Sequence, residues 1–214
     1  MRFAGRLPNS AFFGQRRRVA TVPRAVILLG FSTVRTLTLS VQVWDALGSG
    51  VARPRLEVLW THAVACAVAA KALVARLRAG DPDETFTAGL LHDVGRLVLA
   101  MRFRDEYWKV VGGVAETESI DALEREAFGV DHAEVGAWML EAWALPPRIV
   151  EGVRLHHEPG RLAGPGIVGV TDRLVAWSDL ATGEIGPRAL ELIERTTEQG
   201  LTREVWQATL AQLH

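Results

Sequence analysis

The amino-acid sequence predicts an all-α fold, a bundle of packed helices, on three observations. Leu56 to Ala79 is rich in alanine and other strong helix formers, and Gly80 follows it where helices commonly end. Beyond Asp81-Pro82-Asp83, the residues Phe86, Leu90, Leu91, Val94, Leu97 and Val98 recur at helical spacing. Gly, Pro and Asp punctuate the remainder at intervals suited to helices joined by short turns.

In chain order, Thr36 to Val43 alternates polar and apolar residues, which taken alone suggests a strand. Val34, Leu37, Val41 and Trp44 also share one helical face, and a single strand without a pairing partner is unstable, so a helix is expected. Gly48-Ser49-Gly50 suggests a linker within Leu47 to Pro54, dividing residues 1–50 from a bundle at 51–214. The helix opened by Asp81 is read as continuous through Val98, with Asp81 at its start. Further helices are expected at Ser119 to Phe128, stopped by Gly129, at Asp131 to Trp143, and at Pro147 to His157. Ile167 to Leu180, Pro187 to Gln199 and Thr202 to Leu213 complete the series.

With 214 residues and 49% hydrophobic content the chain can bury a sizeable core and is not disordered. The 24 Lys+Arg and 25 Asp+Glu nearly cancel, so nothing global points to nucleic acid or an anionic membrane; Arg16-Arg17-Arg18 reads as a solvated loop. Arg24 and Arg35 make too sparse a basic face for a DNA-reading helix pair in Val22 to Leu47. The longest apolar run, His62 to Leu77, is broken by Lys71 and Arg76 and is too short for a membrane span. Met1 to Gly14 lacks a signal-peptide pattern, so a cytoplasmic location is expected. The lone Cys66 fits a reducing compartment and, between alanines and valines, reads as a small core residue.

Five of the six histidines, His62, His92, His132, His156 and His157, form one ordered series, and the sixth is the final His214. Imidazoles with carboxylates are the usual ligands of mid-series transition metals, and a carboxylate next to a histidine can bridge two ions. Taken singly the signals are weak. His62 reads as a core histidine, His132 as a first-turn residue after the N-cap Asp131, and His156-His157 as a pair ending a helix. Asp93 is stronger, because a carboxylate inside Ala88 to Gly95 is costly to bury unpaired, and Gly89 and Gly95 permit close backbone approach. Asp172 is a second carboxylate in an apolar helix, Val168 to Leu174.

In that order the chain resembles the HD superfamily of metal-dependent phosphohydrolases, and more closely its bacterial HDOD (HD-related output) domains. The matching phrases are Trp60 to Ala63, Ala88 to Leu97, Glu126 to Gly136, Trp143 to Pro146 and His156 to Pro159, with Asn9 to Gly14 and Ala25 to Gly30 upstream. The resemblance implies an HD-like helical domain preceded by a partial N-terminal helical subdomain. Family members carry further helices before the Asn-Ser motif. A misassigned start or a shortened subdomain is therefore expected, and its exposed apolar faces favour a homodimer.

By the same resemblance, His62, His92, Asp93 and Asp172 would hold one ion, and Asp93, His132, His156 and His157 a second. Iron, manganese, zinc and nickel all suit such a set. Arg96 stands where cleaving relatives carry a lysine and would grip a phosphate. The Gly-Tyr-Pro motif of those relatives is missing after His157, since the only tyrosine is Tyr107. The implied function is a non-catalytic signal-transduction module that answers to signalling proteins or a nucleotide second messenger. Two alternatives stay open: a metal-dependent phosphohydrolase acting on a nucleotide or cyclic dinucleotide, and a metal-free interaction scaffold.

Overall fold

The computed structural model describes residues 31–112, 119–158, 166–176, 178–179 and 184–213. The motifs at Asn9 to Gly14 and Ala25 to Gly30, and the arginine run at Arg16 to Arg18, lie outside the described residues. The fold is all-α. Its helices are α1 (Phe31–Leu47), α2 (Arg53–Leu77), α3 (Pro82–Leu91), α4 (Val94–Phe103), α5 (Asp105–Val111) and α6 (Ile120–Phe128). They continue with α7 (His132–Ala142), α8 (Pro147–Arg154), α9 (Gly166–Ala176), α10 (Pro187–Thr196) and α11 (Arg203–Leu210).

The ambiguous stretch before Trp44 is helical, and its apolar positions explain why: Val41 and Trp44 are buried, with the Trp44 ring edge-on to Trp60 at 5.3 Å. Gly48–Gly50 forms one turn of 3-10 helix against Leu56. The long α2 is the central post, buried on most sides. One core lies between it and α1, α3, α4 and α5, around Trp44, Trp60, Phe86, Leu90, Leu97 and Tyr107. The other lies toward α9, α10 and α11, around Leu73, Ile167, Leu174, Leu201 and Trp206. By length and composition α2 could cross a membrane, but most of its apolar window is buried by these neighbours.

Local rules account for the helix ends. The Asp81 side chain accepts from the backbone N–H groups of Asp83 and Glu84 at 2.7 and 3.0 Å, and Asp131 does the same for Glu134 at 2.8 Å. Gly129 closes α6 at φ 76°. The end of α2 departs from expectation: the left-handed residue is Arg78, at φ 51°, rather than Gly80. The continuous helix expected from Asp81 to Val98 is broken at His92-Asp93, where Asp93 turns to φ −94°, ψ 5°. The break frees both side chains from a helical repeat and turns them toward α9 and α7. A smaller correction falls after α9, which stops at Ala176; Ser178–Asp179 pairs antiparallel with Glu184–Ile185 instead of extending the helix to Leu180.

Candidate metal centre

The candidate ligands come from five places along the chain. His62 projects from the middle of α2, His92 and Asp93 from the α3–α4 break, and His132 from the first residue of α7. His156 and His157 lie in the turn after α8, and Asp172 in α9. Two glycines set the spacing of these elements. A Cβ on Gly95 would lie 2.0 Å from the His132 carbonyl oxygen, and one on Gly169 2.2 Å from that of His156. Only glycine lets α4 and α9 approach the two ligand-bearing backbones so closely.

The structure brings all seven together. Asp172 Oδ1 lies 2.8 Å from His62 Nε2 and 3.5 Å from His92 Nε2. Asp93 Oδ1 lies 3.2 Å from His132 Nε2, 3.7 Å from His92 Nε2 and 4.0 Å from His156 Nε2. His132 Nε2 is 3.2 Å from His156 Nε2 and 2.7 Å from His157 Nε2.

Three of the imidazoles are oriented by what their other nitrogen does. His92 Nδ1 donates to the Gly89 carbonyl at 2.7 Å, His156 Nδ1 to the Val153 carbonyl at 2.6 Å, and His132 Nδ1 to the Glu124 carboxylate at 2.5 Å. In each case Nε2 is the atom left facing the centre, and a carbonyl or carboxylate behind the ring is the usual support of a metal-binding histidine. Among the described residues His92 Nε2 is buried with no hydrogen-bond partner, a costly position unless an ion takes it. Ligand atoms fall into three sets, each within 4.8 Å: His62, Cys66, His92 and Asp172; His132, His156 and His157; and His92, Asp93 and His156. The residues present thus fit a mid-series transition-metal centre.

Asp93 is also one member of a closed ring of polar contacts. Its Oδ2 accepts from Arg96 Nη1 at 3.1 Å, and Arg96 Nε donates to the Tyr107 hydroxyl at 3.3 Å. Tyr107 donates to Glu124 at 2.8 Å, Glu124 takes His132 Nδ1–H, and His132 Nε2 returns to Asp93. The family resemblance implies a phosphate-gripping role for Arg96. Arg96 does line the cavity described below, but its Nε and Nη1 serve Tyr107 and Asp93.

Burial and charge oppose one another throughout the cluster. Burial works against the His132 imidazolium, yet its hydrogen bonds to Asp93 and Glu124 and the charges of those carboxylates push the group up to about 9. His157 goes the other way: burial, joined by repulsion from His132, brings it down to about 3. Burial also lowers His156, with repulsion from its three histidine neighbours added. Burial alone would raise Asp93 and Asp172. The charges of His92 and Arg96 hold Asp93 well below the usual carboxylate range, and the hydrogen bond from His62 with the nearby charge of His92 does so for Asp172.

His62, His157 and Asp172 keep some exposure and open onto a cavity of about 710 Å³, whose wall includes Arg96, Arg173, Arg188 and Arg195. Arg173 also donates to the His157 carbonyl, tying α9 to the turn after α8.

Two residues beside this centre are not assigned to it by the sequence. Glu124 follows no motif, and only its amphipathic position before Gly129 hinted at burial. Cys66 was read as packing, although it stands four residues after His62, on the same helical face.

Comparison with known proteins identifies the family of the fold. A Treponema pallidum (strain Nichols) protein of uncharacterised function is 28% identical over 162 residues, 71% of this chain; the chain spans 30% of that relative. The structure is similar to the MmoQ response regulator of Methylococcus capsulatus, with TM-score 0.59, 29% identity, and coverage of 97% of this chain and 82% of that one. It also resembles an HDOD domain protein of unknown function from Geobacter sulfurreducens, with TM-score 0.68, 23% identity, and coverage of 98% and 76%. The HDOD domain family itself matches residues 6–159, from upstream of α1 to just past the double histidine, and to that family this chain belongs.

Proposed function

We propose that this chain is a regulatory HDOD module of bacterial signal transduction, working in the cytoplasm, which holds a transition-metal centre without turning over a substrate. The observation that carries the metal is the convergence of buried Nε2 atoms on Asp93 and Asp172, with Nδ1 of His92, His132 and His156 committed to acceptors behind the rings. A scaffold whose histidines merely pack and cap would not leave His92 Nε2 buried and unsatisfied. The observation that favours regulation over turnover is Arg96. It grips Asp93 Oδ2, so the carboxylate that would bridge two ions offers the centre only Oδ1. The response-regulator name of the MmoQ relative agrees with a signalling role.

One specific observation keeps a second reading in play, a metal-dependent phosphohydrolase. The arginine-walled cavity meets the imidazoles directly and has room for a nucleotide. A bound pair of ions would supply a hydroxide at neutral pH and charge stabilisation for a phosphoester. The chain's own part would be to orient the phosphate through Arg173, Arg188 and Arg195.

Elemental analysis of protein purified without a histidine tag tests the first reading, alongside the double variant His92→Ala, Asp93→Ala. Bound transition metal, lost in the variant, with no hydrolysis of nucleotides, cyclic dinucleotides or a chromogenic phosphodiester supports the regulatory module. Metal-dependent hydrolysis would replace it with the enzyme. Correctly folded protein that binds no metal under loading would overturn both and leave the scaffold.

A further inference from the structure

We propose that Cys66 is a ligand to the ion held by His62, His92 and Asp172, closing that ion's coordination with protein atoms alone. The inference rests on the metal-centre reading above and adds a residue that the histidine and aspartate pattern does not contain. Cys66 lies one turn of α2 beyond His62 and is wholly buried, with Sγ 3.4 Å from His62 Nε2. Its sulfur and the ligand atoms of His62, His92 and Asp172 all fall within 4.8 Å of one another.

The spacing is compatible with coordination. Around a tetrahedral ion with nitrogen or oxygen at about 2.0–2.2 Å and sulfur at about 2.3 Å, neighbouring ligand atoms lie about 3.3–3.6 Å apart. The Cys66–His62 distance of 3.4 Å and the His92–Asp172 distance of 3.5 Å fall in that window. The His62–Asp172 distance of 2.8 Å is that of a hydrogen bond and must open by about 0.5 Å when an ion replaces the shared proton.

A hydrogen bond from His62 Nε2–H to Asp172 accounts for the 2.8 Å contact and leaves the Cys66 sulfur 3.4 Å away with no bond it must make to His62. A cation among the four would engage that sulfur as well. Independently, the fully buried His92 Nε2 points into this group without a hydrogen-bond partner among the described residues.

Two consequences follow for the chemistry. As the site fills, the thiol S–H bond breaks, its proton leaves to solvent, and the sulfur electron pair goes to the ion. A thiolate shifts the preference of the site toward zinc over manganese or magnesium. With Asp93 Oδ1 left to the second ion, these four protein ligands leave a tetrahedral first ion no open position, which is the form of a structural site. This first ion then braces α2, α9 and the α3–α4 break, in keeping with regulation rather than turnover.

The test uses cobalt(II) loading of the full chain, read by absorption spectroscopy, with elemental analysis of wild type and Cys66→Ala. Wild type is expected to show a near-ultraviolet sulfur-to-cobalt charge-transfer band, absent from Cys66→Ala. The variant is also expected to lose one ion or to bind it at least tenfold more weakly. Cobalt bound without the band, with unchanged stoichiometry and affinity in Cys66→Ala, would reduce Cys66 to packing and leave the metal centre intact. Wild type that binds no cobalt or zinc would instead overturn the metal-centre reading. Circular dichroism monitors folding of the variant, and if it does not fold, the wild-type band alone decides.

Discussion

Replacing Glu124 tests whether the polar ring around Asp93 positions the metal centre. Glu124 is fully buried and accepts three bonds: from His132 Nδ1 at 2.5 Å, from the His132 backbone N–H at 2.7 Å, and from the Tyr107 hydroxyl at 2.8 Å. Glu124→Ala leaves those three donors without an acceptor inside the fold. Each unsatisfied donor costs about 1–3 kcal/mol, and losing one partner of a buried charged pair costs about 3–5 kcal/mol in all. We take the latter as the net, because the three losses share one space and do not add.

In a chain of this size about 3–5 kcal/mol lowers the melting temperature by about 6–20 °C. Glu124→Gln keeps an oxygen for both His132 donors and lets the Tyr107 hydroxyl turn to accept from the amide. It is expected to cost only about 1–2 kcal/mol, in line with losing the charge from a hydrogen bond. Metal affinity follows the same order. Supports behind a ligating histidine are worth about 10–100-fold, so the alanine variant falls in that range and the glutamine variant near its lower end. Urea unfolding of metal-free protein gives the stability term, and isothermal titration with zinc the affinity. An alanine variant within about 0.5 kcal/mol of wild type that also keeps its zinc affinity would refute the positioning argument, since 0.5 kcal/mol is the scatter of neutral surface changes.

Gly95→Ala places a methyl group 2.0 Å from the His132 carbonyl oxygen, so α4 and α7 must part; we expect a loss of about 3 kcal/mol or more in urea unfolding and weakened metal retention on dialysis. Arg78→Gly relieves a left-handed residue at the end of α2 and, against the extra freedom of glycine in the unfolded chain, is expected to stabilise by about 0.5–1 kcal/mol in the same assay. Stripping the metal with a chelator is expected to lower the melting temperature, and reloading at about 1,000 times the dissociation constant to restore about 4 kcal/mol, read by differential scanning fluorimetry.

Helix positions were legible in the sequence because local rules set them. Asp81, Asp131 and Gly129 act as caps where their residue types predict, and the apolar period chose helix over strand for the segment ending at Trp44. The failures share one cause, tertiary contact overriding local preference. Nothing local distinguishes Phe86 to Val98 from one continuous helix, yet the chain turns at Asp93 because its carboxylate is held by Arg96 and His132. Arg78 takes the left-handed position two residues before the available glycine, where its N–H reaches the Val74 carbonyl.

The candidate site was legible for a different reason. Histidines and acids in apolar segments are costly enough to betray a purpose, and their order along the chain carried the family resemblance. Glu124 and Cys66 lacked that contrast. Glu124 is one acid among several in Ile120–Phe128, and only the fold shows that it faces inward while Glu126 is exposed. Cys66 looks like its alanine neighbours, and on an apolar helix face a small buried residue needs no explanation. What distinguishes it is direction. Its sulfur points at His62 and the carboxylate of α9, and that direction depends on Gly169, which seats α9 against the His156 backbone more than a hundred residues away from Cys66. The candidate ligand set is therefore a property of how α2, α9 and the turn after α8 meet, and the sequence motif records only those members whose order along the chain carries the family resemblance.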